Sequence, residues 1–140
     1  ELVWEYKTGR KFGLASPCLY DGKLFVAENG GTLACFDAKG DGKGKAKLLW
    51  DYPYGTAARS SPFVAGGKLY IFDINAKLVV IDKVGSKRPA DDDITEHTFQ
   101  FADPNKAGFL ETNGTFIGVN GKLYFQTGEA LYCIGDPKAK

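Results

Sequence analysis

The chain has no methionine, one histidine, three cysteines and two tryptophans among its 140 residues, and each scarcity removes a class of function. With His97 as the sole imidazole, neither a multi-histidine metal site nor haem ligation by histidines has enough ligands within the chain. No apolar run approaches the roughly 18 residues of a membrane-crossing helix. A formal net charge of +1, from 18 basic and 17 acidic residues, leaves no global field for a polyanion such as nucleic acid. Residue 1 is Glu, so the expectation is a processed or excerpted amino terminus. Either a mature secreted chain after signal removal or a piece of a longer array would look this way.

One short phrase is present three times: Tyr20-Asp21-Gly22-Lys23-Leu24-Phe25, Ala65-Gly66-Gly67-Lys68-Leu69-Tyr70 and Val119-Asn120-Gly121-Lys122-Leu123-Tyr124. The steps from Gly22 to Gly67 and from Gly67 to Gly121 are 45 and 54 residues, and periods of this size built from short strands mark propeller blades. Each phrase centres on a dipeptide able to take the positive φ of a two-residue hairpin turn. The strand after each turn is apolar on both faces, Leu24 and Val26 against Phe25 and Ala27 for example, which predicts cover on both sides of the sheet.

A further strand follows in each repeat, at 32–37, 77–82 and 130–134. A fourth carries an aromatic at 48–52 and, less clearly, at Thr98-Phe99-Gln100-Phe101. With strands lettered A to D, the chain reads D at 2–6, a blade at 15–53, a blade at 60–102, a partial blade at 114–135 and a tail at 136–140. The expected fold is therefore all-β, a propeller segment of about three four-stranded antiparallel blades from a ring of roughly 6–8. Ser16-Pro17 and Ser61-Pro62 suit the start of an A strand, where a missing N–H is tolerated. Thr115-Phe116 replaces them in the divergent third repeat.

Trp-Glu-Tyr-Lys-Thr-Gly at 4–9, Ser-Pro-x-x-x-x-Gly-Lys-Leu-Phe/Tyr and Leu-x-x-Phe/Ile-Asp together resemble the pyrroloquinoline quinone (PQQ)-like β-propeller repeat, over nearly the whole chain. The loop from Gly40 to Lys47 is longer than that family's norm. The resemblance implies a mostly periplasmic or secreted family whose members commonly bind no quinone. The comparison it suggests is with the propeller lipoprotein of the outer-membrane barrel-assembly machinery, a protein-binding role. On that basis the chain is expected to be a non-catalytic binding or assembly module with no cofactor and no metal. The alternatives are a fragment of a PQQ- and Ca²⁺-dependent quinoprotein dehydrogenase, or a propeller subunit organising a larger enzyme complex. A quinoprotein would need channel-face carboxylates and a tryptophan under the quinone, whereas Trp4 and Trp50 both belong to D strands, and no adjacent Cys-Cys pair is present.

Smaller features read as structural. Cys35 and Cys133 fall on equivalent C-strand positions and are expected to be core thiols, too far apart to bridge. Asp91, Asp92 and Asp93 lack the alternating spacing of a calcium loop, and His97 beside them is expected in a solvated stretch between repeats. Lys39, Lys43, Lys45 and Lys47 lie in a glycine-rich loop without interleaved aromatics for base stacking. The D-to-A connections remain, at the channel rim: Arg10, Lys11 and Phe12; Tyr54 and Arg59; Asn105, Thr112 and Asn113. These are the candidate binding residues, since Arg and Tyr dominate binding hot spots, with ion pairing of Arg59 to a neighbouring blade as the alternative. The remaining blades are expected from a longer parent chain or a companion fragment, self-association into a six-bladed ring being the other route. Otherwise three blades would leave apolar faces of the Leu24/Val26 or Leu123/Phe125 type open.

Overall fold

Each repeated dipeptide turns the chain as its residues allow. In the computed structural model, which describes residues 1–138, φ is +47° and +70° at Asp21 and Gly22, +58° and +76° at Gly66 and Gly67, and +50° and +71° at Asn120 and Gly121. Two successive positive φ values give the turn whose twist matches that of paired strands. The three hairpins seed three antiparallel sheets in chain order. The first holds β1 (Cys18–Tyr20), β2 (Lys23–Glu28), β3 (Thr32–Asp37) and β4 (Lys47–Pro53). The second holds β5 (Phe63–Ala65), β6 (Lys68–Phe72), β7 (Lys77–Ile81) and β8 (Ile94–Thr98). The third holds β9 (Ile117–Val119), β10 (Lys122–Gln126) and β11 (Leu131–Gly135). Apart from one 3₁₀ turn at Asp91–Asp93 the described residues contain no helix, and none long and apolar enough to cross a membrane. The tail expected at 136–140 reaches past the described residues.

The alternation of the inner strands sets which side chains meet between blades. Phe25 and Ala27 of β2, Leu33 and Cys35 of β3 and Trp50 of β4 pack against Leu69, Ile71, Val79 and Ile81 of the second blade, all buried. The opposite faces of β6 and β7 present Phe72 and Leu78 to Phe116 and Phe125 of the third blade. This second seam is aromatic: Phe72 stacks on Phe116 at 4.8 Å, and Phe125 on Tyr132 at 5.0 Å. Each fully buried side chain of this size contributes about 1.5–3 kcal/mol, so the blades are held chiefly by these two seams.

Four expectations need correction. The fourth strand of the second blade is Ile94–Thr98, not Thr98–Phe101. His97 therefore lies on a strand, opposite Leu78, although it is exposed as expected. The register equates Thr95, not Phe99, with Trp50: Cys35 faces Trp50 and its counterpart Val80 faces Thr95. Phe99 is instead the counterpart of Tyr54, since Tyr54 N–H donates to Gly31 O and Phe99 N–H to Ala76 O at the matching turns. Segment 2–6 is not a paired strand. It touches the first blade through one parallel bridge, Glu5 to Lys45.

The open faces also differ from expectation. Leu24 and Val26 are only partly exposed, and Trp4 and Tyr6 lie over the neighbouring Phe36 on that side of the first blade. On the third blade, Phe125 turns inward, and the open face carries Ile117, Val119 and Leu131 instead, Leu131 being 76% exposed. Cys133 shares that face and is exposed rather than a core thiol, whereas Cys35 is buried; all three cysteines are free.

Candidate binding face at the blade-joining loops

The D-to-A connections and the turns between B and C strands gather at the same end of the blades, where backbone groups left over from the sheets need partners. They find them in a repeating stitch. Asn29 N–H donates to Lys11 O (2.8 Å) and Asn29 O accepts from Ala58 N–H (3.1 Å). Ile74 repeats this between Ala57 O (3.1 Å) and Thr112 N–H (3.0 Å), and Gly128 N–H donates to Glu111 O (2.8 Å). Every connection is thus tied to the turn of its own blade and, in the first two blades, that turn to the next connection. Side chains add to it: Ser16 N–H donates to Ser61 Oγ (2.8 Å) and Thr115 Oγ1 to Ser61 O (2.9 Å).

Asp73, directly after β6, is the one fully buried carboxylate among the described residues. It accepts from Thr56 N–H (3.0 Å), Ala57 N–H (2.8 Å) and Thr56 Oγ1 (3.2 Å). Three charge-assisted bonds compensate a burial that would otherwise be costly. The carboxylate fits only because residue 55 is glycine, as a Cβ there would collide with the Asp73 carboxyl. Gly31, at φ +84°, approaches the Gly55 backbone equally closely.

The expected rim residues divide into those turned inward and those left out. Tyr54 is fully buried, its hydroxyl has no partner among the described residues, and burial together with the Asp73 and Glu28 carboxylates raises its pKa. Thr112 is buried and donates from Oγ1 to Gln126 O at 2.6 Å. Arg10 is half-buried and donates from Nη2 to Asp51 Oδ2 at 2.5 Å, a bond that raises its already high pKa. Its Nη1 is buried without a partner among the described residues. Phe12 is half-buried beside Tyr6.

Lys11, Arg59, Asn105 and Asn113 are exposed. Arg59 forms no ion pair among the described residues, so the alternative of pairing to a neighbouring blade is not realised there. Asn105 only folds back on Asp103, through its N–H (2.9 Å) and Nδ2 (3.2 Å).

The repeat steps align Arg59 with Asn113 and with Leu14, so one exposed side chain per blade recurs at the same point of each connection. Leu14 did not stand out in the sequence, being a lone apolar residue in a loop. Neither did Phe109, 54% exposed in the long third connection. That connection encloses a pocket of about 290 Å³ lined by Phe99, Phe101, Asp103, Lys106, Phe109 and Leu110 among others. Lys106 sits 4.2 Å from the centre of the Phe101 ring and pairs with Glu129 at 2.9 Å.

Within these three blades the described residues supply no cluster of carboxylates for a quinone's calcium. Among the described residues no three His, Cys, Asp or Glu side chains converge. Both indoles are taken up in bonds to the next blade's backbone, Trp4 to Ala38 O and Trp50 to Gly85 O, each at 3.0 Å.

No protein-family model and no curated protein matches the sequence. Solved structures do match in shape. BamB from Moraxella catarrhalis superposes with a TM-score of 0.68 at 15% identity, over 99% of this chain and 38% of its own. A quinohemoprotein alcohol dehydrogenase from Pseudomonas putida HK5 gives 0.70 at 21% identity, over 100% of this chain and 21% of its own. The corresponding enzyme from Comamonas testosteroni gives 0.68 at 17% identity, over 100% and 22%. The chain therefore spans well under half the length of each of these proteins, and at such identities the likeness establishes architecture alone: the fold is that of three consecutive β-propeller blades, similar in shape to part of each of these propellers.

Proposed function

We propose that the chain is a non-catalytic binding and assembly module that contacts a protein partner through the exposed row Leu14, Arg59 and Asn113, flanked by Lys11 and Asn105, and that it works outside the cytoplasm as the family resemblance implies. The observation that carries this reading is the division at the loop end. Arg10, Asp73 and Thr112, the polar side chains best placed to carry chemistry, are bonded within and between blades, while Leu14, Arg59 and Asn113 face outward at the same point of each connection. An apolar, a cationic and an amide group in a row suit recognition of a protein surface, where arginine is a frequent anchor. The likeness to BamB accords with this.

The test is a photo-crosslinking amino acid placed at Arg59, at Asn113 and, as control, at Lys43 on the opposite end, in the cells that make the protein. Discrete adducts of one protein from positions 59 and 113, with none from 43, are expected. Equal adducts from all three positions would overturn the reading, as would PQQ- and Ca²⁺-dependent oxidation of alcohols by the purified chain.

A further inference from the structure

We propose that the pocket enclosed by the third connection is the anchor site for one arginine side chain of the protein partner, an assignment that rests on the partner-binding reading of the loop end and deepens it. The repeat itself sets this connection apart. Phe99 corresponds to Tyr54 and Glu111 to Ala57 in the backbone stitch, so the excess of the second repeat step, 54 residues against 45, falls wholly between Phe99 and Glu111. The added chain makes no part of the stitch, since Thr112 N–H still reaches Ile74 O as Ala58 N–H reaches Asn29 O. What it builds instead is the pocket, and the second and third blades on either side of it both belong to this chain. A long connection that the scaffold does not need is where binding residues are carried.

The lining suits a side chain that is apolar along its stem and cationic at its end. Phe99, Phe101, Phe109 and Leu110 supply apolar wall, and Phe109 is left 54% exposed despite its size. That the wall accepts a cation is already visible. Lys106 Nζ lies 4.2 Å from the centre of the Phe101 ring, with its charge matched by Glu129 Oε1 at 2.9 Å. Asp103 also lines the pocket. Its Oδ1 accepts from Asn105 N–H and Nδ2, at 2.9 and 3.2 Å, which holds the carboxylate in place, while Oδ2 accepts no bond among the described residues.

Charge decides against an acidic occupant. The third connection and the turn it meets contain Asp103, Glu111 and Glu129 against Lys106 alone. Lys106, with the Ala102 N–H, holds the Glu129 carboxyl below its usual range and so ionised. The surplus at the pocket is negative. A guanidinium meets each group present: its plane stacks on an aromatic face, its fork bonds a carboxylate, and its methylene stem packs along apolar wall. At about 290 Å³ the pocket lies at the lower limit of the roughly 300–1,000 Å³ usual for small-molecule sites, room for a single side chain rather than a helix. The same connection carries exposed Asn105 and Asn113, so one partner can seat an arginine here and cover the outward row.

Titrating the isotope-labelled chain with N-acetyl-argininamide, followed by nuclear magnetic resonance, is expected to give saturable amide shifts confined to Asn75 and residues 98–110. The uncharged isostere N-acetyl-citrullinamide should bind about tenfold more weakly, the scale of a lost hydrogen bond to a charged group. Asp103→Asn and Phe109→Ala, both at exposed positions, should keep the far-ultraviolet circular dichroism and weaken the arginine probe to a similar degree. In the cells that make the protein, benzoylphenylalanine at position 109 should capture the same protein as the crosslinker at position 59, attached beside an arginine of that protein. Absence of saturable shifts, equal binding of the citrulline probe, or undiminished binding by Asp103→Asn would overturn the pocket assignment, and adducts from position 59 would then leave the partner reading standing. Capture of a different protein from position 109, or of none, would overturn the partner as the source of the arginine. Probe binding without adducts from position 59 would overturn the partner reading itself and this assignment with it.

Discussion

Replacing Trp50 by alanine tests the assignment of the first seam. Trp50 is 6% exposed, its ring centre lies 5.9 Å from that of Phe25, and its indole N–H donates to Gly85 O across to the second blade. Truncating a buried aromatic costs about 3–5 kcal/mol, of which the lost hydrogen bond accounts for about 0.5–1.5 kcal/mol. Trp50→Phe keeps most of the ring and gives up the bond, so it should cost roughly a third as much. Trp4 makes the same indole bond but is only half-buried on the first blade's outer side, so Trp4→Ala should fall well below Trp50→Ala. Urea titrations followed by far-ultraviolet circular dichroism, all at one protein concentration because association adds to apparent stability, give the three values. With total stabilities of about 5–15 kcal/mol, Trp50→Ala should shift the midpoint far down or leave the chain unfolded. A near-unchanged midpoint, or a larger loss for Trp4→Ala, would refute the packing described for the seam.

Asp73→Ala removes the acceptor for three donors and should cost about 2–4 kcal/mol, while Asp73→Asn, which retains one carbonyl oxygen, should cost less; thermal melts rank the two. Gly31→Ala forces a side chain into a left-handed backbone position against Gly55 and should destabilise by more than about 1 kcal/mol, whereas Gly42→Ala, at φ +72° but in open space, should cost less. Burial pushes the Cys35 thiol up to about 12. The unfolded chain then loses that proton near the ordinary thiol value while the folded chain keeps it, so stability falls as pH rises through this interval. Urea midpoints measured from pH 8 to 11 should decline, and Cys35→Ala should flatten the decline. Arg59→Ala should leave the urea midpoint within about 0.5 kcal/mol of wild type while abolishing the adduct formed from position 113.

The hairpins were legible because their turn chemistry is local: Asp21-Gly22, Gly66-Gly67 and Asn120-Gly121 announce positive φ whatever surrounds them. The inner strands were legible because both faces are covered and both are therefore apolar. β8 was not. Ile94-Thr95-Glu96-His97-Thr98 is an edge strand with four of its five side chains exposed, so hydrophobic alternation has nothing to record, and the aromatic just beyond it drew the assignment. The candidate site was legible as a set of loops but not as a set of directions. Tyr54 and Arg59 share one connection, yet one points into the seam and the other into solvent, a choice set by packing against Gly31 and Asp73 rather than by residue type. Nothing in the local sequence marks Asp73, and its burial depends on a glycine 18 residues earlier.

The unequal make-up of the two seams gives the molecule separately readable halves. The first contains Trp50 and the amino-terminal segment contains Trp4, while the second, built of Phe63, Phe72, Phe99, Phe116, Phe125, Tyr70 and Tyr132, contains no tryptophan. Emission excited selectively at tryptophan therefore reports on one flank of the second blade and is blind to the other. Fracture between the second and third blades would leave that emission intact while near-ultraviolet dichroism from the phenylalanine and tyrosine rings collapsed, and detachment of the first blade would do the reverse.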